Sequence, residues 1–239
     1  MLCALALVVL SVWEIAVLAR ARSSAPLDEE WRQAAAWVSA RHQPGDLIVF
    51  APAWVDPVGR KWLGDRMTIA QAARMDDARY GRVFEVSIRG AGEARGTLAA
   101  EERFGPIDVR LWQRPAATVH WELAGALYEV DFAPRRCQLV RPPGQLDAEV
   151  EMGDALVVYA GIADFRSRRD NRARALLRVF VDDKEAARAS IGNDSGWQRL
   201  AATTTPGRHR LRITSEVDGA GSPAKLDLCV AAEARTEAR

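Results

Sequence analysis

The chain has 239 residues, which is enough for two modest domains or one large one. Its composition, with 49% hydrophobic and 27% charged residues, is that of a globular protein and excludes the disordered and fibrous classes. The net charge of +1 at pH 7 provides no bulk electrostatic attraction for nucleic acid, so nucleic acid is not predicted as a partner.

An apolar segment begins the chain. Residues 1–19, MLCALALVVLSVWEIAVLA, contain 17 apolar residues and are interrupted only by Ser11 and Glu14. As a helix they would measure roughly 28 Å, about the thickness of the hydrocarbon core of a bilayer. The sequence therefore predicts a membrane anchor helix over residues 1–20, followed by a polar connector at 21–27.

Two alternatives to the anchor stay open. The triplet Ala19-Arg20-Ala21 fits the cleavage site of a secretory signal peptide, although no basic residue precedes the apolar run. The other alternative is a soluble helix or a wrongly assigned start. Arg20 and Arg22 favour a cytoplasmic body by the positive-inside rule, but that rule is weak for long translocated domains.

Residues 28–115 are predicted to form a small α/β domain. A helix begins at Asp28, where acidic residues occupy the first turn and apolar residues follow at i, i+3, i+4 and i+7. These are Trp31, Ala34, Ala35 and Val38. The apolar run at 47–51, LIVFA, does not alternate, which is typical of a strand covered on both faces.

Further elements complete this domain. Helices are predicted at 68–79 and 97–104, and strands at 83–88 and 107–111, the last at an edge. The α-β-α-β-α-β order predicts three layers around a parallel sheet with right-handed crossovers. Asp76-Asp77 is interpreted as a solvated helix end, because adjacent side chains on a helix point in different directions.

The region 116–234 has a different pattern, of short strands separated by turns. Apolar or alternating segments occur at 118–123, 127–132, 155–160, 176–181, 197–202, 211–214 and 226–230. Turn residues such as Pro-Pro-Gly at 142–144 and Thr-Pro-Gly at 205–207 separate them. The region is predicted to be a jelly-roll-like β-sandwich, with a short tail at 235–239.

The first domain carries the patterns W-x5-W-V, P-G-D-x-I/V-V and R-V-x-x-V-S. Through them, residues 29–114 resemble the soluble domain of bacterial polytopic glycosyltransferases of the protein mannosyltransferase and arabinose-lipid transferase type. The resemblance implies an α/β fold and a lipid-linked sugar or such a glycosyltransferase as partner. The catalytic carboxylate of those enzymes belongs to their membrane region, so no catalytic residue is carried over.

The second domain carries V-F-V-D-D, G-W and T-T-P-G-R-H. With these patterns, residues 150–232 resemble jelly-roll sandwiches of the carbohydrate-binding-module kind. The resemblance implies a glycan as the ligand of this domain.

The first candidate site is the stretch 52–65, read as a loop that leaves the buried strand at the end where ligands bind in open α/β sheets. Its candidate ligand-binding residues are Trp54, Asp56, Arg60, Lys61 and Asp65, with Trp62 as a second aromatic face. A contact with the membrane interface or a neighbouring domain, or a plain structural loop, are the alternatives. No glycine-rich phosphate cradle and no Ser-His-Asp or Cys-His set accompanies these residues, so neither a catalytic residue nor a cofactor is predicted.

The second candidate site comprises Asn193, Asp194 and Trp197, because such side chains bond sugar hydroxyls and stack on sugar rings. A Trp that enters a sandwich strand also commonly fills the core, which is the alternative. Cys137 and Cys229 have no Cys or His at metal-ligand spacing, so no metal site is predicted. They form either a disulfide in an oxidising compartment or two separately buried thiols.

The leading hypothesis is a membrane-anchored, non-catalytic protein of the bacterial cell envelope. It would bind a glycan or a lipid-linked sugar, or assist a polytopic glycosyltransferase. One alternative is an enzyme that uses Asp56 or Asp65 on a sugar or phosphate substrate, and another is a structural remnant of a larger glycosyltransferase. The expected location is the bacterial inner membrane, with a single pass and the soluble part outside the cytoplasm.

Overall fold

The computed structural model describes residues 10–17, 25–68, 76–131, 133–163, 173–220 and 226–238. The chain divides into two compact units, the first comprising residues 1–67 and 82–114, the second residues 68–81 and 115–239. The sequence-based division placed residues 68–81 in the α/β domain, whereas they group with the second unit.

Residues 10–17 are helical and carry exposed apolar side chains. No helix within the described residues is long and apolar enough to cross a membrane. The remainder of the predicted anchor, residues 1–9 and 18–20, lies outside the described residues.

The first unit begins with helix α1, Asp28–Ser39. The Glu30 carboxylate accepts a hydrogen bond from the backbone N–H of Leu27 at 2.6 Å, and three acidic residues in the first turn complement the helix dipole. The predicted apolar stripe is confirmed, since Trp31, Ala34 and Val38 are buried.

The sheet of this unit has four strands: β1, Leu47–Ala51; β2, Arg82–Ile88; β3, Thr97–Phe104; and β4, Ile107–Gln113. Their order is β1-β2-β4-β3, in which only β1 and β2 are parallel. The prediction of a parallel sheet is therefore wrong beyond this first pair. The predicted helix at 97–104 is strand β3, and β4 lies inside the sheet rather than at its edge. The reason is the turn Gly105-Pro106, which is too short for a crossover and closes an antiparallel hairpin.

Helix α1 and the next helix, α2, Asp56–Leu63, pack on one face of the sheet. Helix α2 contributes Leu63 to the apolar cluster that also contains Trp31 of α1 and Phe50 and Phe84 of the sheet. The described part of the unit thus has two layers and not the three predicted. The predicted helix 68–79 lies partly outside the described residues, and Asp77–Arg79 forms a single 3-10 turn.

The opposite face of the sheet carries a buried carboxylate. Glu85 is fully buried, and it accepts hydrogen bonds from the Glu93 backbone N–H at 2.9 Å and from Arg95 Nε at 3.3 Å. Trp112 Nε1 donates to the same carboxylate at 3.4 Å. These bonds fasten the irregular segment 91–96 onto the sheet, which explains why strand β2 is buried on both faces.

The described residues of the second unit form ten strands and confirm the predicted β-sandwich. They are β5, Thr118–Glu122; β6, Ala126–Val130; β7, Ala133–Val140; β8, Gly144–Met152; β9, Ala155–Ile162; β10, Arg174–Val181; β11, Lys184–Ile191; β12, Gln198–Thr203; β13, Gly207–Asp218; and β14, Leu228–Thr236.

The two sheets of the sandwich have the orders β11-β10-β13-β8 and β12-β9-β14-β7-β6, with β5 added beside β14. From β7 to β14 the chain passes back and forth between the two sheets as in a jelly roll, except that β10 and β11 form a hairpin within the smaller sheet. On one edge, β14 pairs with β7 through Leu228–Val230 and then with β5 through Glu233–Thr236. The core between the sheets follows the period of two, as in β10, where Ala175, Leu177 and Val179 are buried.

A second, smaller cluster covers the outer face of the larger sheet. Cys137 of β7 and Cys229 of β14 are fully buried there and form a disulfide with Cα atoms 5.5 Å apart. Val157, Tyr159 and Ala231 pack around it, which explains why β9 and β14 are buried on both faces and do not alternate.

Candidate functional site

The stretch 52–65 is helical and not an irregular loop. It consists of a 3-10 turn, Ala53–Val55, then α2, then a second 3-10 turn, Gly64–Arg66. Pro57 lies in the first turn of α2, where its missing N–H removes no helical hydrogen bond, and Asp56 precedes it at the positive end of the helix. The proline that suggested a loop in the sequence thus begins a helix.

The charged residues of this stretch pair within the first unit. Asp56 and Arg60 form an ion pair one helical turn apart, and Lys61 Nζ lies 3.9 Å from Asp28 of α1. Asp65 is exposed beyond the end of α2. The structure therefore does not bring these charges to one point, and Asp56 is already occupied by Arg60.

Trp54, an aromatic residue of the same stretch, is exposed to solvent. Its side chain is 61% exposed, and the Arg89 guanidinium lies 5.7 Å from the centroid of its ring. Because β1 and β2 are parallel, their carboxyl ends are adjacent, and Trp54 and Arg89 lie just beyond them. Arg89 was missed in the sequence because its approach to Trp54 depends on the pairing of the two strands.

The predicted residues of the second unit lie in the connection from β11 to β12. Asn193 and Asp194 form its turn, which is closed by a hydrogen bond from the Gly192 N–H to Ser195 Oγ at 3.0 Å. Trp197 is half-buried, and its indole N–H donates to the Ala133 carbonyl at 2.9 Å. Trp197 packs with the outer cluster, so its ring is part of the fold and not an open platform.

A network of charged side chains surrounds Asp76 on the outer face of the larger sheet. The Asp76 carboxylate accepts hydrogen bonds from Arg199 Nε at 3.0 Å, from Arg235 Nη2 at 3.2 Å and from the Ala78 N–H at 3.0 Å. Burial pushes the pKa of Asp76 upward, but these three donors outweigh it, and the pKa lies below its ordinary value. The interpretation of Asp76 as a solvated helix end is therefore wrong.

The rest of this network is also paired. Arg235 is fully buried and contacts Glu233 at 2.8 Å, while Arg79 lies 3.6 Å from Glu233 and 3.5 Å from Glu122. Burial raises the pKa of Glu233 above its usual range, against the opposing effect of the two arginines. With each of these charges compensated, the network acts as a clamp that holds residues 76–81 on the sheet.

An apolar cleft opens along one lateral edge of the sandwich, between β5 and β8. It has a volume of about 270 Å³, and Leu211 and Ile213 form its buried floor. Its remaining lining residues are Trp121, Glu122, Leu123, Ala124, Gln138, Leu146, Asp147 and Ala148. The cleft exists because β5 replaces β7 along the second half of β14, which separates the edges of the two sheets.

The amide of Gln138 is the polar group that faces this cleft, and its side-chain N–H donates to the Ala124 carbonyl at 2.8 Å. Glu122 and Asp147 flank the cleft, but strand alternation turns their carboxylates to the outer faces of the two sheets, where they lie 3.5 Å from Arg79 and 3.7 Å from Arg210. An aromatic ring with apolar walls and an oriented polar group is the usual composition of a small-molecule site.

Sequence reasoning missed Trp121. It lies in a segment that was correctly predicted as a strand, and its alternation with Val119 and Leu123 pointed only to an ordinary core face. The cleft depends on the pairing of β5 with β14, more than a hundred residues later, and a single sequence holds no signal for that register.

A second, polar cleft of about 490 Å³ lies on the opposite edge, between β11 and β12. His209 Nδ1 lies 2.6 Å from Asp182 Oδ2 at this cleft, and His209 Nε2 donates to the Thr205 carbonyl at 2.9 Å. The Asp182 carboxylate raises the pKa of His209. An imidazole that donates from both nitrogens cannot act as a base on the Thr205 hydroxyl, so Asp182, His209 and Thr205 do not form a catalytic triad. Their hydrogen bonds join two turns, and we call this contact the His209 clip.

No group of three or more His, Cys, Asp or Glu side chains is arranged to hold a metal ion in the part of the chain that the structure describes.

No protein-family model and no curated protein sequence matches the chain. Among solved structures, it is similar to the CBM51-2 and INT domains of Clostridium perfringens ZmpB, with a TM-score of 0.38 and 12% identity over 64% of this chain and 40% of that one. It is also similar to a CBM51 of Clostridium perfringens GH95 in complex with methyl-galactose, with a TM-score of 0.35 and 13% identity over 61% of this chain and 93% of that one. A family 35 carbohydrate binding module from Clostridium thermocellum has a TM-score of 0.27 and 12% identity over 49% of this chain and 97% of that one.

These neighbours are carbohydrate-binding modules with a β-sandwich fold, and at this identity the likeness concerns the fold alone. The chain spans about two fifths of the length of the first structure it matches. None of these findings bears on the resemblance of residues 29–114 to glycosyltransferase domains, which stays a prediction.

Proposed function

We propose that the chain binds a glycan without transforming it, in the cleft between β5 and β8. The observation that carries this proposal is Trp121, whose half-buried ring lines the cleft among apolar walls, with the amide of Gln138 beside it.

The chemistry of a sugar fits this arrangement. A pyranose has an apolar face of C–H groups, which packs on an indole ring, and an equator of hydroxyls, which form hydrogen bonds with a side-chain amide. The cleft volume of about 270 Å³ lies just below the ~300–1,000 Å³ found for small-molecule pockets. It therefore suits one sugar unit, such as the end of a longer glycan. Because the Gln138 amide is already held by the Ala124 carbonyl, binding would cost little ordering entropy.

A glycan array with the full chain tests the proposal. Trp121→Ala should abolish the signals, while Leu127→Ala, at a 43% exposed side chain of β6, should leave them unchanged. Since Trp121→Ala removes packing as well, Gln138→Leu provides a milder variant that removes only the amide beside the cleft. It should weaken binding several-fold, the loss of about one hydrogen bond.

Two results would count against this function. A wild-type chain that binds nothing on a broad array would refute glycan binding. Binding that is unaffected by both Trp121→Ala and Gln138→Leu would place the glycan away from this cleft.

The setting that we propose is the outer side of the bacterial inner membrane, with residues 1–20 as the anchor. The 17 apolar residues among the first 19 support the anchor, and the disulfide between Cys137 and Cys229 is the kind of bond that persists in an oxidising compartment. A lipid-linked sugar or a polytopic glycosyltransferase would then be within reach as a partner. Protease accessibility of the second unit in intact spheroplasts, against lysed ones, tests the orientation.

A further inference from the structure

We propose that the outer face of α2 and of the 3-10 turn before it, with Trp54, Val58 and Lys61, lies on the surface of a lipid bilayer. This inference rests on the membrane setting proposed above, but not on the glycan-binding cleft, which belongs to the other unit.

The exposed apolar side chains of the first unit support this surface. Trp54 is 61%, Val58 44% and Leu27 66% exposed. Trp54, Val58 and Lys61 occur at i, i+4 and i+7, so they follow one side of the helix. Lys61 Nζ reaches Asp28 at 3.9 Å, which brings the end of this strip to the start of α1, next to Leu27.

The position in the chain of the strip formed by Trp54, Val58 and Lys61 favours a bilayer as the surface that it contacts. Leu27 lies seven positions after Arg20, the end of the apolar segment. Fully extended, these seven steps span at most about 25 Å. If the apolar segment enters a bilayer, Leu27 cannot leave the neighbourhood of its surface, and α2 is in contact with α1 beside it. A water-exposed apolar strip tethered so closely to a membrane has the bilayer as its nearest apolar surface.

The chemistry of the strip is that of a membrane interface. Trp combines an apolar body with a polar N–H and is enriched at the headgroup level of bilayers. Lys61 and Arg89 rim the strip with long side chains, which can bury their methylene stems and present their charges to anionic headgroups. Arg89 Cζ lies 5.7 Å from the Trp54 ring centroid, so the cation and the aromatic ring would meet the headgroups together.

Arg89 lies in a tight turn next to Trp54. Arg89 and Gly90 both have positive φ, of 58° and 68°, and the turn is closed by a hydrogen bond from the Ala91 N–H to the Ile88 carbonyl at 3.1 Å. This turn sets the backbone position from which the Arg89 side chain reaches the Trp54 ring.

Site-specific fluorescence in vesicles tests the inference. The full chain carries Cys3→Ser, so that a single new cysteine takes an NBD label, since Cys137 and Cys229 are joined in a disulfide. The label is placed at Val58→Cys or, as the matched control, at Leu98→Cys on strand β3 of the same unit; the two native side chains are 44% and 41% exposed. The vesicles contain phosphatidylcholine and phosphatidylglycerol, with or without lipids that carry a spin-label quencher.

The label at position 58 should increase in fluorescence severalfold on reconstitution and be quenched by the spin-labelled lipid, while the label at 98 should do neither. Equal behaviour of both labels in vesicles that hold the inserted chain would overturn the inference. An increase at 58 that needs no lipid but grows with protein concentration would assign the strip to a second copy of the chain, and would overturn it as well. Because glycan binding is measured separately, on the array, failure of one proposal is distinguishable from failure of the other.

Discussion

Asp76 and Arg235 are 159 residues apart in the sequence, and Asp76 Oδ2 lies 3.2 Å from Arg235 Nη2. Arg235 is 1% exposed and Asp76 16%. Through this contact the short segment 76–81 is fixed to the last strand of the sandwich. A substitution of Asp76 therefore tests whether residues 76–81 contribute to the stability of the second unit.

Asp76→Asn should destabilise the second unit. The substitution leaves Arg235 and Arg199 with less negative charge around them, and removing one partner of a buried pair costs about 3–5 kcal/mol. As Asp76 is partly exposed, we expect about 2–4 kcal/mol, measured by urea unfolding. The control is Asp183→Asn, which breaks an exposed pair with Arg212 and should cost at most about 1 kcal/mol. Equal effects of both variants would contradict the clamp.

Low pH should remove the stabilisation that Asp76 provides to the second unit. The pKa of Asp76 is lowered in the folded state, so the stabilising contribution is present above the ordinary value of 3.8 and is lost as the pH falls through the folded pKa. The wild type should therefore lose more stability than Asp76→Asn between about pH 5 and pH 2, as followed by tryptophan fluorescence in urea. Parallel curves for the two proteins would show that Asp76 titrates normally.

The clip at His209 should produce the opposite dependence on pH. The pKa of His209 is raised, so its stabilising contribution is complete below the ordinary value of 6.5 and is lost as the pH rises through the folded pKa. The Tm of the wild type should fall from about pH 6 to about pH 8, and His209→Gln should remove this component. Thr205→Val is the control, since it keeps the backbone carbonyl that accepts from His209 Nε2. A Tm that falls equally in His209→Gln would contradict the clip.

Gly59 should not tolerate a side chain. A Cβ at this position would lie 2.0 Å from Phe50 Cε1, where α2 packs directly on β1. Gly59→Ala should therefore destabilise the first unit by about 1–3 kcal/mol in thermal or chemical unfolding, by overpacking. The matched substitution is Gly64→Ala, which meets no atom within 4 Å and should be neutral or stabilising by up to about 1 kcal/mol. If Gly59→Ala were as stable as Gly64→Ala, the close contact of α2 with the sheet would be refuted.

The disulfide between Cys137 and Cys229 should contribute strongly to the second unit. It joins positions separated by 92 residues, and a loop of that size corresponds to about 4–5 kcal/mol in the chain-entropy model. Unfolding of the protein with and without a reductant measures this difference. The double variant Cys137→Ala/Cys229→Ala is the control and should not respond to the reductant. Peptide mapping that finds both thiols free in periplasmic material would contradict the bond.

The sandwich could be predicted from the sequence because its signals are local. Alternating segments and Pro/Gly turns mark the strands, and they were placed correctly over most of the second half. The segment 97–104, TLAAEERF, shows the limit: Ala and Glu favour a helix, but pairing with Ile107–Gln113 across a two-residue turn overrides that preference. Helix and strand propensities cannot reveal this effect of long-range strand pairing.

The candidate site was harder to predict than the fold. Trp121 faces a cleft only because β5 meets β14, and Asp76 is buried only because Arg199 and Arg235 reach it from distant strands. Conversely, Trp197 stood beside polar turn residues, yet its indole packs with the outer cluster. Residue type and local spacing therefore indicate which side chains could bind a sugar, but long-range pairing decides which of them face a cleft.

Strand β14 has a consequence for how the protein is made. It lies in the middle of the larger sheet, pairs with β9, β7 and β5, and supplies Cys229, Glu233 and Arg235 to the outer face. Because β14 is the last strand of the sandwich, the sheet stays split until its residues have left the ribosome or the translocation channel. Up to that moment, the edges of β9 and β7 are open to pairing with other chains. Completion of the larger sheet thus waits for β14, and a nascent chain halted before β14 is the species for which a chaperone would be most needed.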